Sequence, residues 1–315
     1  MIPLVDISDT ASVVEEIEKA SRDIGFVYIS GHGIPAVTIE RARSAVIEYF
    51  SLPQDVKDGD CITRDNYRGY IALGFFSPNS GDGAADRYEG YKLHFEVDAA
   101  DLACQACDLY GPNKWPASPG NFKQSLLAYW HECDRVAALL LTVYAQILGV
   151  DENEFLKLFE TPLTNMTLLH YPPQAANADG IGIHPHKDTD ALTILARDPV
   201  GGLQVRCRGA EEWLTVEPPG DALVVNIGDL MELWSGGYLV STPHRVVNAT
   251  GAERYSFPYF AVPGHDTIVA PLMARQPGFD RAAIHVGEAS KEVWRSNWHD
   301  GKPVSPDLDP AILEN

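Results

Sequence analysis

A chain of 315 residues, 45% hydrophobic and 22% charged, is long enough to bury a substantial core as one large domain or two small ones. Its formal charge of −20 opposes close approach to phosphate backbones, which argues against a nucleic-acid partner. Five cysteines spread thinly along the chain make no disulfide framework, so reduced thiols are expected. The start, MIPLVDISDTASVVEE, lacks the basic and long apolar runs of a secretory signal, and no stretch offers about 18 uninterrupted apolar residues. The expectation is a cytoplasmic protein with no membrane partner.

In chain order, IPLVD at 2–6 and GFVYIS at 25–30 are apolar, β-branched runs, and between them Val13, Val14, Ile17 and Ala20 recur at helical spacing. This predicts strand, helix, strand. Pro35 suits a helix start, and VTIERARSAVIEYFSLP continues helically until Pro53 stops it. The stretch from about Ser77 to Gly120 has little periodicity and is expected to be irregular, lid-like structure. From 121 to 148, Phe122, Leu126, Trp130, Cys133, Ala137, Leu140, Tyr144 and Ile147 keep steps of three or four, predicting a long scaffold helix.

After Pro162 the texture changes to short segments punctuated by Gly, Pro, Asp and Asn: TLLHY, ALTIL, GLQVR, EWLTV, ALVVNI, HRVVN, YSFPYF and TIVA. Eight closely spaced strands suggest a sandwich or jelly roll. The expected division is a mixed, helical N-terminal region over 1–120, the scaffold helix and β core over 121–265, and a tail over 266–315, integrated as one domain. Nothing here sets an oligomeric state.

In GIHPHKDTDALTIL, His186 and Asp188 are two apart, so a single extended strand would point both to one face. His244, in TPHRVVN, heads another short apolar strand and supplies a third ligand. Two histidines and a carboxylate form a facial triad that leaves three positions of an octahedral Fe(II) open. A structural zinc site would close with four ligands, commonly thiolates. Cys104 and Cys107 do form a CxxC, but no second pair or suitably spaced histidines accompany it.

The flanking residues carry a resemblance. The order HxDxxxLTxLxxDxxGGLQV, then NIGDxxxxxSxGxxxSTxHRVxN, then RxSxxxF resembles the isopenicillin N synthase-like 2-oxoglutarate/Fe(II)-dependent dioxygenases, and IPLVDIS, GFVYISGHGIP, YFSLP and RGYIALG are similar to that family's amino-terminal region. The resemblance spans most of residues 1–265. It implies a mainly β protein with flanking helices, whose core is a double-stranded β-helix holding the metal at its open end. It implies an enzyme that uses Fe(II), 2-oxoglutarate and O2 to oxidise a small-molecule substrate, by hydroxylation, desaturation or cyclisation, with formation of succinate and CO2.

On the matching positions, His186, Asp188 and His244 fall on the metal ligands, and Arg254 and Ser256 on the pair that grips the distal carboxylate of 2-oxoglutarate. A guanidinium offers a planar fork to a carboxylate, and a hydroxyl adds one donor. Tyr171 falls on a tyrosine that helps hold the co-substrate. Leu169 departs from the asparagine of many plant members, and His184, two before His186, is read as a decoy for the first ligand. Isopenicillin N synthase itself consumes no 2-oxoglutarate, so a co-substrate-independent oxidase remains an alternative, as does a non-catalytic jelly-roll binding protein.

Substrate contacts are expected from residues 64–97 and the tail after about 265, with Arg68, Tyr91 and Phe95 as leading candidates beside Tyr70, His94 and Phe260. Trp294 and Trp298, four apart, would share one face of a tail helix. Arg245 is expected in a structural ion pair, and Asn226, Gly228 and Asp229 in a scaffold turn.

Overall fold

A computed structural model of the chain describes residues 1–9, 12–75, 86–174, 180–248 and 250–296. The apolar runs near the N-terminus become β1 (Leu4–Asp6) and β2 (Phe26–Ser30), paired in parallel, with α1 (Val13–Asp23) as the crossover between them. Pro35 precedes α2 (Ala36–Phe50), and Pro53 precedes α3 (Gln54–Asp58), as fits a residue with no N–H to leave unbonded. β3 (Gly69–Ile71), β4 (Glu89–His94) and α4 (Leu102–Ala106) follow.

The scaffold helix is α5 (Phe122–Leu148), which buries Phe122, Leu126, Tyr129, Cys133, Leu140 and Tyr144 along one face and ends at Gly149 in the left-handed conformation. After α6 (Glu152–Lys157) come β5 (Asn165–Tyr171), β6 (Ile181–His186), β7 (Leu192–Leu195), β8 (Leu203–Val205), β9 (Leu214–Thr215) and β10 (Leu223–Ile227). The chain continues through α7 (Asp229–Trp234), β11 (His244–Val247), β12 (Arg254–Ser256), β13 (Tyr259–Ala261), β14 (Ile268–Val269), β15 (Ile284–His285) and α8 (Val286–Ser296). Among the described residues no helix is long and apolar enough to cross a membrane.

Two sheets make the jelly roll. The larger runs β1-β2-β10-β7-β13-β5-β4-β3, with β12 also on β5, and the smaller runs β6-β11-β8-β9. Side-chain alternation in the larger sheet separates two cores. Val27, Ile29, Met166, Leu168, Leu192, Ile194, Val225 and Tyr259 point toward α1, α2 and α5, whereas Phe26, Tyr28, Leu169, Tyr171 and Val224 meet Leu203, Val205 and Val246 of the smaller sheet. The candidate site lies on this second, inner face.

Three expectations change. The stretch expected to be irregular contains β4, an interior strand hydrogen-bonded to both β3 and β5. Its EGYKLH sequence hides the strand because two of its enclosed positions are charged. Glu89 is accommodated on the helical side by Lys57 Nζ at 2.7 Å, Tyr70 Oη at 2.5 Å and His170 Nδ1 at 2.7 Å. YSFPYF is two strands rather than one, because Pro258 interrupts the ladder and lets β13 pair with β7 as well as β5. β6 ends at His186, so Asp188 lies in the loop beyond the strand rather than two residues along it.

The Lys57–Glu89 pair is almost fully enclosed, with side-chain exposures of 7% and 8%. Burial disfavours the Glu89 carboxylate, but His170, Lys57 and Tyr70 more than offset this and hold its pKa below the ordinary value. Removing one partner of such a pair strands the other. Lys57→Met is therefore expected to destabilise the fold by roughly 3–5 kcal/mol, read from urea denaturation midpoints. A loss below about 1 kcal/mol would mean that the remaining donors suffice.

Candidate metal centre

His186 closes β6 and His244 opens β11, and the two stand directly opposite one another across the antiparallel pair with ring centroids 4.3 Å apart. His186 Nδ1 is 2.8 Å from the His184 carbonyl and His244 Nδ1 is 3.2 Å from the Thr242 carbonyl. A ring nitrogen facing a carbonyl carries the proton, which leaves both Nε2 lone pairs free for a metal. Phe26 packs edge-on against His244, centroids 5.6 Å apart, and fixes that ring from the N-terminal strand. Asp188 Oδ1 lies 3.9 Å from His186 Nε2 and 3.6 Å from His244 Nε2. The three ligand atoms fall within 4.8 Å of one another, and among the described residues they are the one group of this kind that could hold a metal ion.

Asp188 reaches this position from a loop that the backbone pins. The first turn of α7 donates back to it, Asp229 N to the Asp188 carbonyl at 2.8 Å and Leu230 N to the Asp190 carbonyl at 3.0 Å. The approach is so close that a side chain at Gly228 would collide with Asp190 and the Asp188 carbonyl. Asp188 Oδ2 accepts from Thr193 Oγ1 at 2.6 Å and Asn226 Nδ2 at 2.7 Å, leaving Oδ1 toward the histidines. Asn226 is thus more than the scaffold turn expected of it. Its signal lay in strand parity, since it shares the inner face with Val224.

The electrostatics suit a cation. Burial pushes His244 down to about 4, so it is a neutral imidazole at physiological pH. Burial would raise the Asp188 carboxyl, but the two histidines and the bonds from Thr193 and Asn226 outweigh it and hold the group below its ordinary value. Asp190 behaves oppositely, raised well above its ordinary value by burial and by the charge of Asp188. Thr193 Oγ1 is also 2.8 Å from Asp190 Oδ2, and its single proton cannot serve both carboxyl groups. A protonated Asp190 resolves this and leaves one net negative charge beside the imidazoles. Two imidazoles and one carboxylate, with no thiolate, fit Fe(II) with open positions.

Arg254 and Ser256 lie on the same inner face, opposite Tyr171 and Leu169 respectively in the β12–β5 register. Arg254 is 3% exposed, its Nε donates to the Gly201 carbonyl at 2.6 Å, and its guanidinium lies 4.7 Å from the Tyr171 ring centroid. Its Nη1 is buried and has no hydrogen-bond partner among the described residues. A guanidinium donor so placed is matched by a carboxylate of a bound ligand. Gly201 can present that carbonyl because Gly202, at φ 91°, runs so close to Val247 that any side chain would strike its carbonyl. Leu169 is buried in the inner apolar cluster.

The substrate candidates separate by strand parity. Tyr91 is 0% exposed, its hydroxyl donates to the Lys114 carbonyl at 2.6 Å, and its ring packs on Tyr49 and Phe122. It is a core residue, and Phe95 packs against the same helical core. Arg68 is buried and donates from Nη2 to the Leu109 carbonyl at 2.7 Å. The structure brings none of these three into the triad. The inner face of β4 is carried instead by Lys92, a position absent from the candidates because a lone lysine in an irregular-looking stretch carries no motif. Phe260 lies beneath its ammonium, 5.5 Å from centroid to Nζ.

His184 engages Asp86 at 2.7 Å and stands apart from the triad. Among the described residues Arg245 makes no ion pair of the expected kind. It donates to Gln204 Oε1 at 2.8 Å and stacks 4.3 Å above Trp213. Trp294, on α8, packs against Tyr67 and His94 with centroids 5.2 and 5.5 Å away, while Trp298 lies outside the described residues.

Asn226→Ala removes one of the two side-chain donors that orient Asp188. It is expected to weaken Fe(II) affinity by about 10–100-fold in anaerobic titration while the fold is retained. Unchanged affinity would assign the orientation to Thr193 alone. Arg254→Lys keeps the charge but loses the fork, and should raise the 2-oxoglutarate dissociation constant by roughly tenfold or more. An unchanged constant would separate Arg254 from the co-substrate.

Comparison with known proteins agrees with this geometry. Residues 163–263 match the model of the 2OG-Fe(II) oxygenase superfamily, and residues 2–118 match that of the non-haem dioxygenase in morphine synthesis N-terminal region. The 2-oxoglutarate-dependent dioxygenase thnC of Trichoderma harzianum is 31% identical over 268 residues, covering 81% of this chain and 82% of its own. Homoarginine-6-hydroxylase 2-ODD-C23.1 of Arabidopsis thaliana is 32% identical over 269 residues, covering 83% and 80%. Among solved structures, a 2OG-Fe(II) oxygenase family protein of Caulobacter crescentus superposes with a TM-score of 0.80 at 26% identity, over 94% of this chain and 98% of that one. A full-length Neurospora crassa protein, solved in complex with alpha-KG and thymine, shares the fold with a TM-score of 0.81 at 24% identity, over 94% and 97%. The chain belongs to the 2OG-Fe(II) oxygenase superfamily and is a 2-oxoglutarate/Fe(II)-dependent dioxygenase acting on a small molecule.

Proposed function

We propose that the protein oxidises a C–H bond of a small organic molecule at a centre in which His186, Asp188 and His244 hold Fe(II). In this reading Arg254 and Ser256 take up the far carboxylate of 2-oxoglutarate, with Tyr171 beneath the guanidinium. The observation that carries it is the joint placement, on one inner face, of a converged triad and a buried Arg254 whose Nη1 has no partner among the described residues. When bound, Fe(II) supplies the O2 activation that couples oxidative decarboxylation of 2-oxoglutarate, to succinate and CO2, to oxidation of the substrate.

The chain's own residues position and insulate. His186 and His244 present Nε2 in a fixed tautomer because the His184 and Thr242 carbonyls hold the other nitrogen. Thr193 and Asn226 keep Asp188 from rotating its second oxygen away. Leu169, Leu203 and Val246, buried in one cluster with Tyr171, would keep water from a carboxylate held at Arg254 and so strengthen that contact. Two relatives with a stated substrate or ligand take small organic molecules, homoarginine for the Arabidopsis hydroxylase and thymine as the molecule bound in the Neurospora structure. Hydroxylation, desaturation or cyclisation is then set by which substrate carbon the pocket presents.

The test is substrate-free turnover. Protein reconstituted with Fe(II) and 2-oxoglutarate should release succinate on admission of O2, and His186→Ala, Asp188→Ala and His244→Ala should each reduce this to background. Iron-loaded protein that consumes no 2-oxoglutarate would instead support the oxidase or binding-protein alternative. A variant with full iron and wild-type turnover would remove its residue from the ligand set.

A further inference from the structure

Two lysines of this chain are enclosed in the β4 region, and they are treated differently. Lys57 meets Glu89 of β4 at 2.7 Å on the helical side of the strand. Lys92, three residues further along β4, projects from the opposite face. Its Nζ donates to Thr167 Oγ1 at 2.8 Å and lies over the Phe260 ring, and it forms no ion pair among the described residues. The anions whose charge it feels are Asp188 and Asp190. Asp188 is committed to the histidines, Thr193 and Asn226, Asp190 is engaged by Thr193, and neither carboxylate makes an ion pair with the Lys92 ammonium. An ammonium enclosed without a counter-ion is disfavoured relative to one in water, and burial accordingly pushes Lys92 down to about 8. A lysine kept in such a place calls for an anion that comes from outside the chain.

The register says where that anion would sit. Lys92 pairs with Thr167, Gly90 with Leu169, and Leu169 with Ser256 on its other side. Lys92 therefore shares the inner face with Arg254 and Ser256, on the far side of β5 from them and one pleat repeat along, about 7 Å on strand geometry. In the oxygenase reading one co-substrate carboxylate would be taken by Arg254 and the other end held at the metal ligands, which leaves Lys92 for a different molecule. The surroundings are aromatic. Phe260 floors the ammonium, and His94, two residues on and kept neutral by burial, carries Trp294 of α8 against its ring. The Lys92 side chain is partly exposed despite its enclosure, and so is His186 at 38%, consistent with both opening onto one space at the mouth of the jelly roll.

We propose that Lys92 is the specificity-determining cation of the substrate pocket, and that the substrate is a small carboxylic acid with an apolar body whose carboxylate binds Lys92 while Phe260 packs against the remainder. This rests on the oxygenase reading above and adds to it a substrate class and the residue that selects it. One cation against aromatic walls favours a monoanion over a polyanion, and a neutral amide of the same shape forfeits the charge-assisted bond.

The experiment uses the full chain with Fe(II) and 2-oxoglutarate, held anaerobically. A panel of monocarboxylic acids, including phenylacetate, benzoate and cyclohexanecarboxylate, is titrated against the matching primary amides, with binding read from the visible absorption of the Fe(II)–2-oxoglutarate complex and from calorimetry. At least one acid is expected to bind about 10–100-fold more tightly than its amide. Lys92→Met should abolish that preference and Lys92→Arg should retain much of it, with iron content and 2-oxoglutarate affinity held in both. If no acid binds the wild type more tightly than its amide, or if Lys92→Met keeps the preference, the proposal is wrong. If Lys92→Met instead weakens 2-oxoglutarate binding, Lys92 belongs to the co-substrate and the proposal is equally wrong. Substrate-free succinate release by the wild type, measured in parallel, separates the two levels. Its absence overturns the oxygenase reading, whereas its presence without acid preference overturns the Lys92 assignment alone.

Discussion

The structure depends on holding one carboxylate, Asp188, ionised and immobile between two imidazoles in a buried place. A carboxylate there is costly unless its oxygens are satisfied, and the surrounding architecture is a means of doing so. Thr193 from β7 and Asn226 from β10 hold one oxygen, and the start of α7 holds the main chain that carries it. The two imidazoles come from β6 and β11, which are neighbours in the other sheet. The centre is therefore a joint between the two sheets, and the loop from His186 to Asp190 crosses from one to the other at that point.

The same constraint governs the rest of the inner face. Side-chain alternation makes each strand of the larger sheet serve two masters, an apolar core against the helices and a mixed, functional surface within the jelly roll. β5 is the clearest case. Met166, Leu168 and His170 face the helices, while Thr167, Leu169 and Tyr171 face inward, opposite Lys92 on one side and Arg254 and Ser256 on the other. β4 carries a charge on each face, and the difference between them is chemical. Glu89 is satisfied three times over by the protein itself, and Lys92 has a hydroxyl and a ring but no counter-ion among the described residues.

Much of this was legible in the residues. The periodicity over 122–148 matched α5, the short β-branched segments after Pro162 matched most strands of the jelly roll, and the ordered HxD and distal histidine singled out three residues whose ligand atoms the fold brings together. These features are local, or are patterns in which the residue type itself states the chemistry: an imidazole has few other reasons to recur in that company.

Residue type and short-range spacing thus suggested a sandwich or jelly roll and a possible facial triad, and the resemblance carried by the flanking motifs implied the double-stranded β-helix and the ligand set. Which face each residue serves was settled only by the packed sheets. Tyr91 and Phe95, read as pocket residues, turned to the helical core, and Lys92 between them turned inward, because a one-residue step on a strand reverses the side and only the pairing of β4 with β5 sets the phase. Asn226 gained its contact with Asp188 in the same way, from a neighbour 38 residues distant in the chain. Parity on a strand is invisible until its partner is known, since an isolated segment does not say which of its two faces will be covered by helices and which will enclose the site.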